Sequence, residues 1–125
     1  SAQHSWRSVL DAIKQVETGS GSGINVRGDG GRAFGPYQIH KAYWQDSRVP
    51  GTHARCLTDR AYSERVVKAY MRRYAPAAAA RLKAGTATLL VDCARIARQH
   101  NGGPRGHRKK ATLAYWIKVK NEVTR

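Results

Sequence analysis

Residues 5–23 read SWRSVLDAIKQVETGSGSG, and the change of pattern inside this stretch decides the fold. Trp6, Val9, Leu10, Ile13, Val16 and Glu17 recur at the spacing of one helical face. The spacing predicts an amphipathic helix over residues 5–17. The glycine–serine run from Gly19 to Gly23 stops it, because glycine is costly inside a helix and suited to tight reversals. Beyond that stop, Ile24-Asn25-Val26 and Ala33-Phe34 are strand-like runs around Asp29-Gly30-Gly31. An Asp-Gly pair between such runs signals a tight hairpin.

Helical patterning then returns. A short helix is expected over residues 39–45, and a longer one from a Thr58 cap to the residue before Pro76, carrying Ala61, Val66, Ala69, Tyr70 and Tyr74. An alanine-rich helix follows to Lys83. Residues 88–99 place Leu89, Leu90, Cys93, Ile96 and Ala97 on one face, and Gly102-Gly103-Pro104 ends that helix. Residues 111–123 make the last, with Leu113, Trp116, Ile117 and Val119 as its apolar stripe. The reading is α+β and mostly helical: a small β-hairpin beside a bundle of short helices. With 125 residues, no repeat and no domain linker, the chain is expected to be one domain, large enough to bury a core without metal or disulfide staples.

Composition narrows the partners. Lys and Arg number 23 against 8 Asp and Glu, a formal charge of +15. Such an excess suits polyanions: nucleic acid, an anionic membrane or a bacterial wall. The positive residues are spread along the chain, with one dense run, RGHRKK over residues 105–110, that reads equally as a solvated loop or a binding patch. Cys56 and Cys93 match no metal-ligand spacing, and a single disulfide or two buried thiols both fit. No His pair has ligand spacing beside a carboxylate, so no metal or other cofactor is expected. GDGGRAFG lacks the setting of a nucleotide fingerprint. No apolar stretch is long enough for a transmembrane helix. The first residues, Ser1-Ala2-Gln3-His4, contain no signal-peptide apolar region, as expected of a mature exported chain or of one never exported.

The chemistry centres on Glu17. It lies four residues after Ile13 and seven after Leu10, on their inward face but at the helix end, where it can border a cleft. A carboxyl removed from water holds its proton more readily, as a general acid requires; the alternative is a helix-end Glu paired with Arg or Lys. Asp29, on the hairpin turn, is the natural second carboxylate, although Asp-Gly turns commonly carry no chemistry. Glycoside hydrolysis needs such a pair, one to protonate the leaving oxygen and one to attack or stabilise the anomeric carbon. Asp46 is the reserve candidate, Asp11 falls on the opposite helix face, and Asp59 and Asp92 read as helix-start or surface charges. Tyr37, Tyr43 and Trp44 are candidates to stack on sugar rings. Gln38, His40, His100, Asn101 and Gly102 are candidates to meet hydroxyl or acetamido groups. Aromatics of this kind are ordinarily core residues, and Trp44 is expected to be partly so.

GPYQIHKAYWQD, AYMRRYA, CARIARQHNGGPRG and ATLAYWIKV, in that order and spacing, resemble the invertebrate-type (destabilase-like) lysozymes from end to end. That resemblance implies a lysozyme-like fold and cleavage of the β-1,4 bond between N-acetylmuramic acid and N-acetylglucosamine in bacterial peptidoglycan. Val16-Glu17-Thr18-Gly19 matches the motif holding the catalytic Glu, and Asp29 matches the catalytic Asp ahead of Gly-Pro-Tyr-Gln-Ile. A secreted monomer, without cofactor or specific nucleic acid partner and able to act on chitin oligomers, would follow. The family is typically rich in disulfides, whereas Ser20, Phe34 and His107 stand about where cysteines are expected. Two other readings remain: an inactive glycan-binding module, and a basic protein acting on polyanions or membranes through charge.

Overall fold

The computed structural model describes residues 3–125; Ser1 and Ala2 lie outside the described residues. Helix α1 (Trp6–Thr18) leads into a hairpin of β1 (Arg27–Gly28) and β2 (Ala33–Phe34), and six α-helices follow among the described residues. These are α2 (Lys41–Ser47), α3 (Arg55–Thr58), α4 (Arg60–Tyr74), α5 (Pro76–Ala84), α6 (Ala94–Gly102) and α7 (Leu113–Val123). The strands are antiparallel, with Arg27 opposite Phe34 and Gly28 opposite Ala33. No helix among the described residues is long and apolar enough to cross a membrane.

The inward face of α1 does what its spacing predicts. Val9, Leu10 and Ile13 are fully buried with Val66, Val67 and Met71 of α4, Ile96 and Ala97 of α6, and Val119 of α7. Each of these side chains larger than alanine stabilises the fold by about 1.5–3 kcal/mol when fully buried. The glycine run after α1 is held by Lys14, whose buried ammonium donates to the carbonyls of Gly19 and Gly21. Burial, and secondarily the charge of Arg60, push that ammonium below its ordinary range.

Several elements depart from the sequence pattern. The first strand begins after Val26, because Asn25 takes a left-handed conformation (φ 64°) and its N–H bonds the Leu57 carbonyl at 2.9 Å. Asp59, rather than Thr58, caps α4 by accepting from the Tyr62 N–H at 3.0 Å. Leu89–Cys93 forms one π-helical turn ahead of α6, with the Cys93 N–H reaching the Thr88 carbonyl five residues back at 3.1 Å. The wider turn rotates Leu90 and Val91 outward, to 67% and 64% exposure, while Cys93, Ile96 and Ala97 remain buried. Asp92 is no surface charge: it is buried, accepts from the Thr88 N–H and pairs with Arg81 at 2.8 Å. On α7 the inward residues are Trp116 and Val119, and Leu113 and Ile117 face solvent.

Cys56 and Cys93 are free thiols, not a disulfide. They belong to different neighbourhoods, Cys56 in α3 against α4 and Cys93 in the π turn against α5 and α6. Burial pushes the first up to about 12 and the second to about 11.

Candidate active site

The last turn of α1, the hairpin turn, the loop before α2 and the end of α6 converge on a cleft of about 240 Å³. Glu17, Asp29, Ala33, Gln38, His40, His100 and Asn101 line it. A larger hollow, about 690 Å³, lies between the π turn and the end of α7 and contains no carboxylate. The smaller cleft is the one that brings the two expected carboxylates, Glu17 and Asp29, together.

Glu17 is half-buried, its side chain 21% exposed. The Tyr115 hydroxyl of α7 donates to Oε2 at 3.1 Å, and His100 Nε2 stands 3.5 Å from the same oxygen. The His100 ring is fixed by its other neighbours. Nε2 lies 2.8 Å from the Tyr37 carbonyl, which can only accept, so Nε2 carries the proton. Nδ1 then accepts from the Tyr43 hydroxyl at 2.9 Å. The Tyr115 hydroxyl is thus the one donor to Glu17 among the described residues, and it reaches Oε2, leaving Oε1 without a partner there. Burial, followed by the charge of Glu17, holds the Tyr115 hydroxyl well above its ordinary range, so it stays a donor.

Asp29 is presented by a turn of three consecutive left-handed residues, Asp29 (φ 47°), Gly30 (65°) and Gly31 (91°). Asp tolerates this conformation and glycine takes it freely, which is why the turn reads Asp-Gly-Gly. His40 Nε2 donates to Oδ2 at 2.7 Å, and the Arg32 guanidinium reaches Oδ1 at 3.3 Å. Chiefly through His40, then Arg32, the carboxyl is held below the usual range and remains ionised. Gly35 (φ 74°) lets the Gly35–Gln38 turn press onto α3: a Cβ there would collide with the Cys56 carbonyl.

The sequence model of the Destabilase family matches residues 7–122. The chain belongs to the destabilase family. It is 41% identical to a lysozyme of Magallana gigas over 86 residues, covering 68% of this chain and 56% of that relative. It is 36% identical to a lysozyme of Ostrea edulis over 115 residues, covering 90% and 77%. The crystal structure of Tapes japonica lysozyme superposes with a TM-score of 0.71 at 33% identity, over 90% of this chain and 86% of that one. The chain thus spans little more than half of the first relative's length, and most of the other two.

Within this destabilase chain, several residues expected at the substrate serve the scaffold instead. Tyr37 is fully buried and donates to Glu64 Oε2 at 2.6 Å, so its ring faces no cleft. Tyr43 stacks on Tyr70 with centroids 3.8 Å apart. Trp44 donates its indole N–H to Tyr62 and packs toward His53. Neither lines the cleft. Gln38 does, but its amide nitrogen donates to the carbonyls of Val26 and Gly35. Gly102 closes α6, and its carbonyl accepts from Lys109. Asp46 lies outside the cleft beside Arg73, at 3.9 Å. His40, His100 and Asn101 do reach the cleft. Tyr115, Arg32 and Glu64 escaped the sequence reading. For Tyr115 a signal existed, a tyrosine four residues before the buried Val119 and so on the same face.

Proposed function

We propose that this destabilase chain is a lysozyme: a glycoside hydrolase that cuts the β-1,4 bond between N-acetylmuramic acid and N-acetylglucosamine of bacterial peptidoglycan. It acts outside the cytoplasm as a monomer and also accepts chitin oligomers. The observation that carries the reading is that Glu17 and Asp29 line one cleft in opposite settings, the first half-buried, the second exposed and held ionised by His40 and Arg32.

Glu17, protonated on Oε1, gives that proton to the glycosidic oxygen as the bond to the anomeric carbon breaks. Asp29 closes on the anomeric carbon from the opposite side, forming a glycosyl ester or shielding the oxocarbenium charge. The Glu17 carboxylate next takes a proton from water, whose oxygen displaces Asp29 and restores the original anomeric configuration. Lysozyme of another family is the standard illustration of this division between two carboxyls. Tyr115 keeps Oε2 as an acceptor throughout, which leaves Oε1 for the transfer.

The test is clearing of a peptidoglycan suspension, with reducing ends counted in parallel. The wild type is expected to clear it, and Glu17→Gln to lose at least about 100-fold in rate. Equal clearing by both would remove Glu17 from the acid role. Clearing by neither would favour an inert glycan-binding module.

A further inference from the structure

The segment after α6 carries charge that the cleft chemistry does not use. Residues 93–112 hold Arg95, Arg98, Arg105, Arg108, Lys109 and Lys110, and no Asp or Glu. None of these six forms an ion pair among the described residues, whereas seven of the chain's eight carboxylates pair with arginines outside the segment and the eighth, Glu17, stands 3.5 Å from His100. The charge therefore has no counterpart inside the molecule. His107 registers the resulting field: burial first, and then Arg95, Arg108 and Arg98, hold its imidazole below the ordinary range.

This segment is tied to the cleft wall. Gly106 lies so close to α6 that a Cβ would meet the Arg98 carbonyl. Arg98 donates to the Lys109 carbonyl at 2.8 Å, and Lys109 Nζ donates to the Gly102 carbonyl at 2.7 Å. The same helix end carries Asn101 and His100, which line the cleft. Arg105, Arg108 and Lys110 are exposed and make no side-chain hydrogen bond among the described residues, so their charges are free for a ligand.

We propose that this basic segment docks the carboxylates of the peptide stems borne by the same glycan strand that the cleft holds. The proposal rests on the lysozyme reading. Its warrant for stems, rather than for a separate polyanion, is continuity: a strand lying across Asn101 brings its own acidic peptides to residues 105–110, whereas an independent polymer needs no adjacency to the carboxylates. Exposed charges act mainly by raising local substrate concentration, so the segment governs substrate capture and leaves bond cleavage to Glu17 and Asp29.

The test compares the wild type with Arg105→Gln/Arg108→Gln/Lys110→Gln on intact peptidoglycan, on the same glycan stripped of stems by an amidase, and on neutral N-acetylglucosamine hexamer. The triple variant is expected to raise KM about five- to twenty-fold on intact material, with kcat, thermal midpoint and both other substrates unaffected. An equal change on all three substrates, or on none, overturns the proposal. So does tighter dependence on an added phosphodiester wall polymer than on the stems. Sedimentation binding of intact and stripped glycan by the Glu17→Gln chain, with and without the three changes, gives the same contrast without turnover. A wild type inactive on every substrate would therefore sink the lysozyme reading while binding still decided the docking surface.

Discussion

Two oxygens on one side chain are treated differently at Glu17. Oε2 receives the Tyr115 hydroxyl at 3.1 Å, with His100 Nε2 3.5 Å away and committed to the Tyr37 carbonyl, while Oε1 has no partner among the described residues. Removing the Tyr115 hydroxyl frees Oε2 to compete for the proton without changing the groove. Tyr115→Phe is therefore expected to lower kcat about 10- to 100-fold, the worth of one hydrogen bond to a charged group. KM and the thermal midpoint should change little. A rise in KM at constant kcat would make Tyr115 a groove residue instead. At this scale the sequence was informative where periodicity acts: Glu17 follows Ile13 by four residues, so its side of the helix was legible. It was silent on Tyr37 and Tyr43, since nothing in an aromatic-rich run says which rings the core absorbs.

At the scale of elements, α4 ties α1 to the turn carrying Tyr37. Glu64 of α4 accepts from Arg7 of α1 at 2.6 Å and from Tyr37 at 2.6 Å, with Arg60 at 3.3 Å. Burial alone would raise this carboxyl, but the bonds from Arg7 and Tyr37 outweigh it and draw it down to about 2. A carboxyl lowered from 4.5 to about 2 on folding contributes stability that is complete above 4.5 and is lost as the pH falls through 2. The contribution is about 3 kcal/mol. Denaturant unfolding of the wild type should accordingly show stability falling between pH 4.5 and 2. In Glu64→Gln that slope should flatten, and an unchanged slope would assign acid sensitivity to other carboxyls. The elements least visible in the sequence are those where a single residue changes the winding. The π turn at Leu89–Cys93 preserves a helical pattern while rotating Leu90 out of it. The first strand is displaced because Asn25 bonds to α3 across the chain, a contact that no local pattern records, while the second keeps its expected place at Ala33–Phe34.

Considered whole, the molecule meets its charge excess by pairing every carboxylate but Glu17 with arginine and leaving cations over, and it meets its shortage of cysteine by packing. Helices α1, α4, α6 and α7 close one core, and the glycine run after α1 is held by the Lys14 ammonium. The predicted class, mostly helical with a small hairpin, follows from where the three-to-four-residue period starts and stops. The two thiols add a consequence of another kind. Buried in separate parts of that core and displaced far from thiolate formation, they should be inert to reductants and alkylating agents while the chain is folded. The melting temperature is expected to be the same with and without dithiothreitol, and a thiol reagent should label Cys56 and Cys93 only as fast as the protein opens. If one labels far ahead of the other, its part of the core breathes independently. The pair thus forms a built-in clock for unfolding, readable by mass spectrometry in unmodified protein.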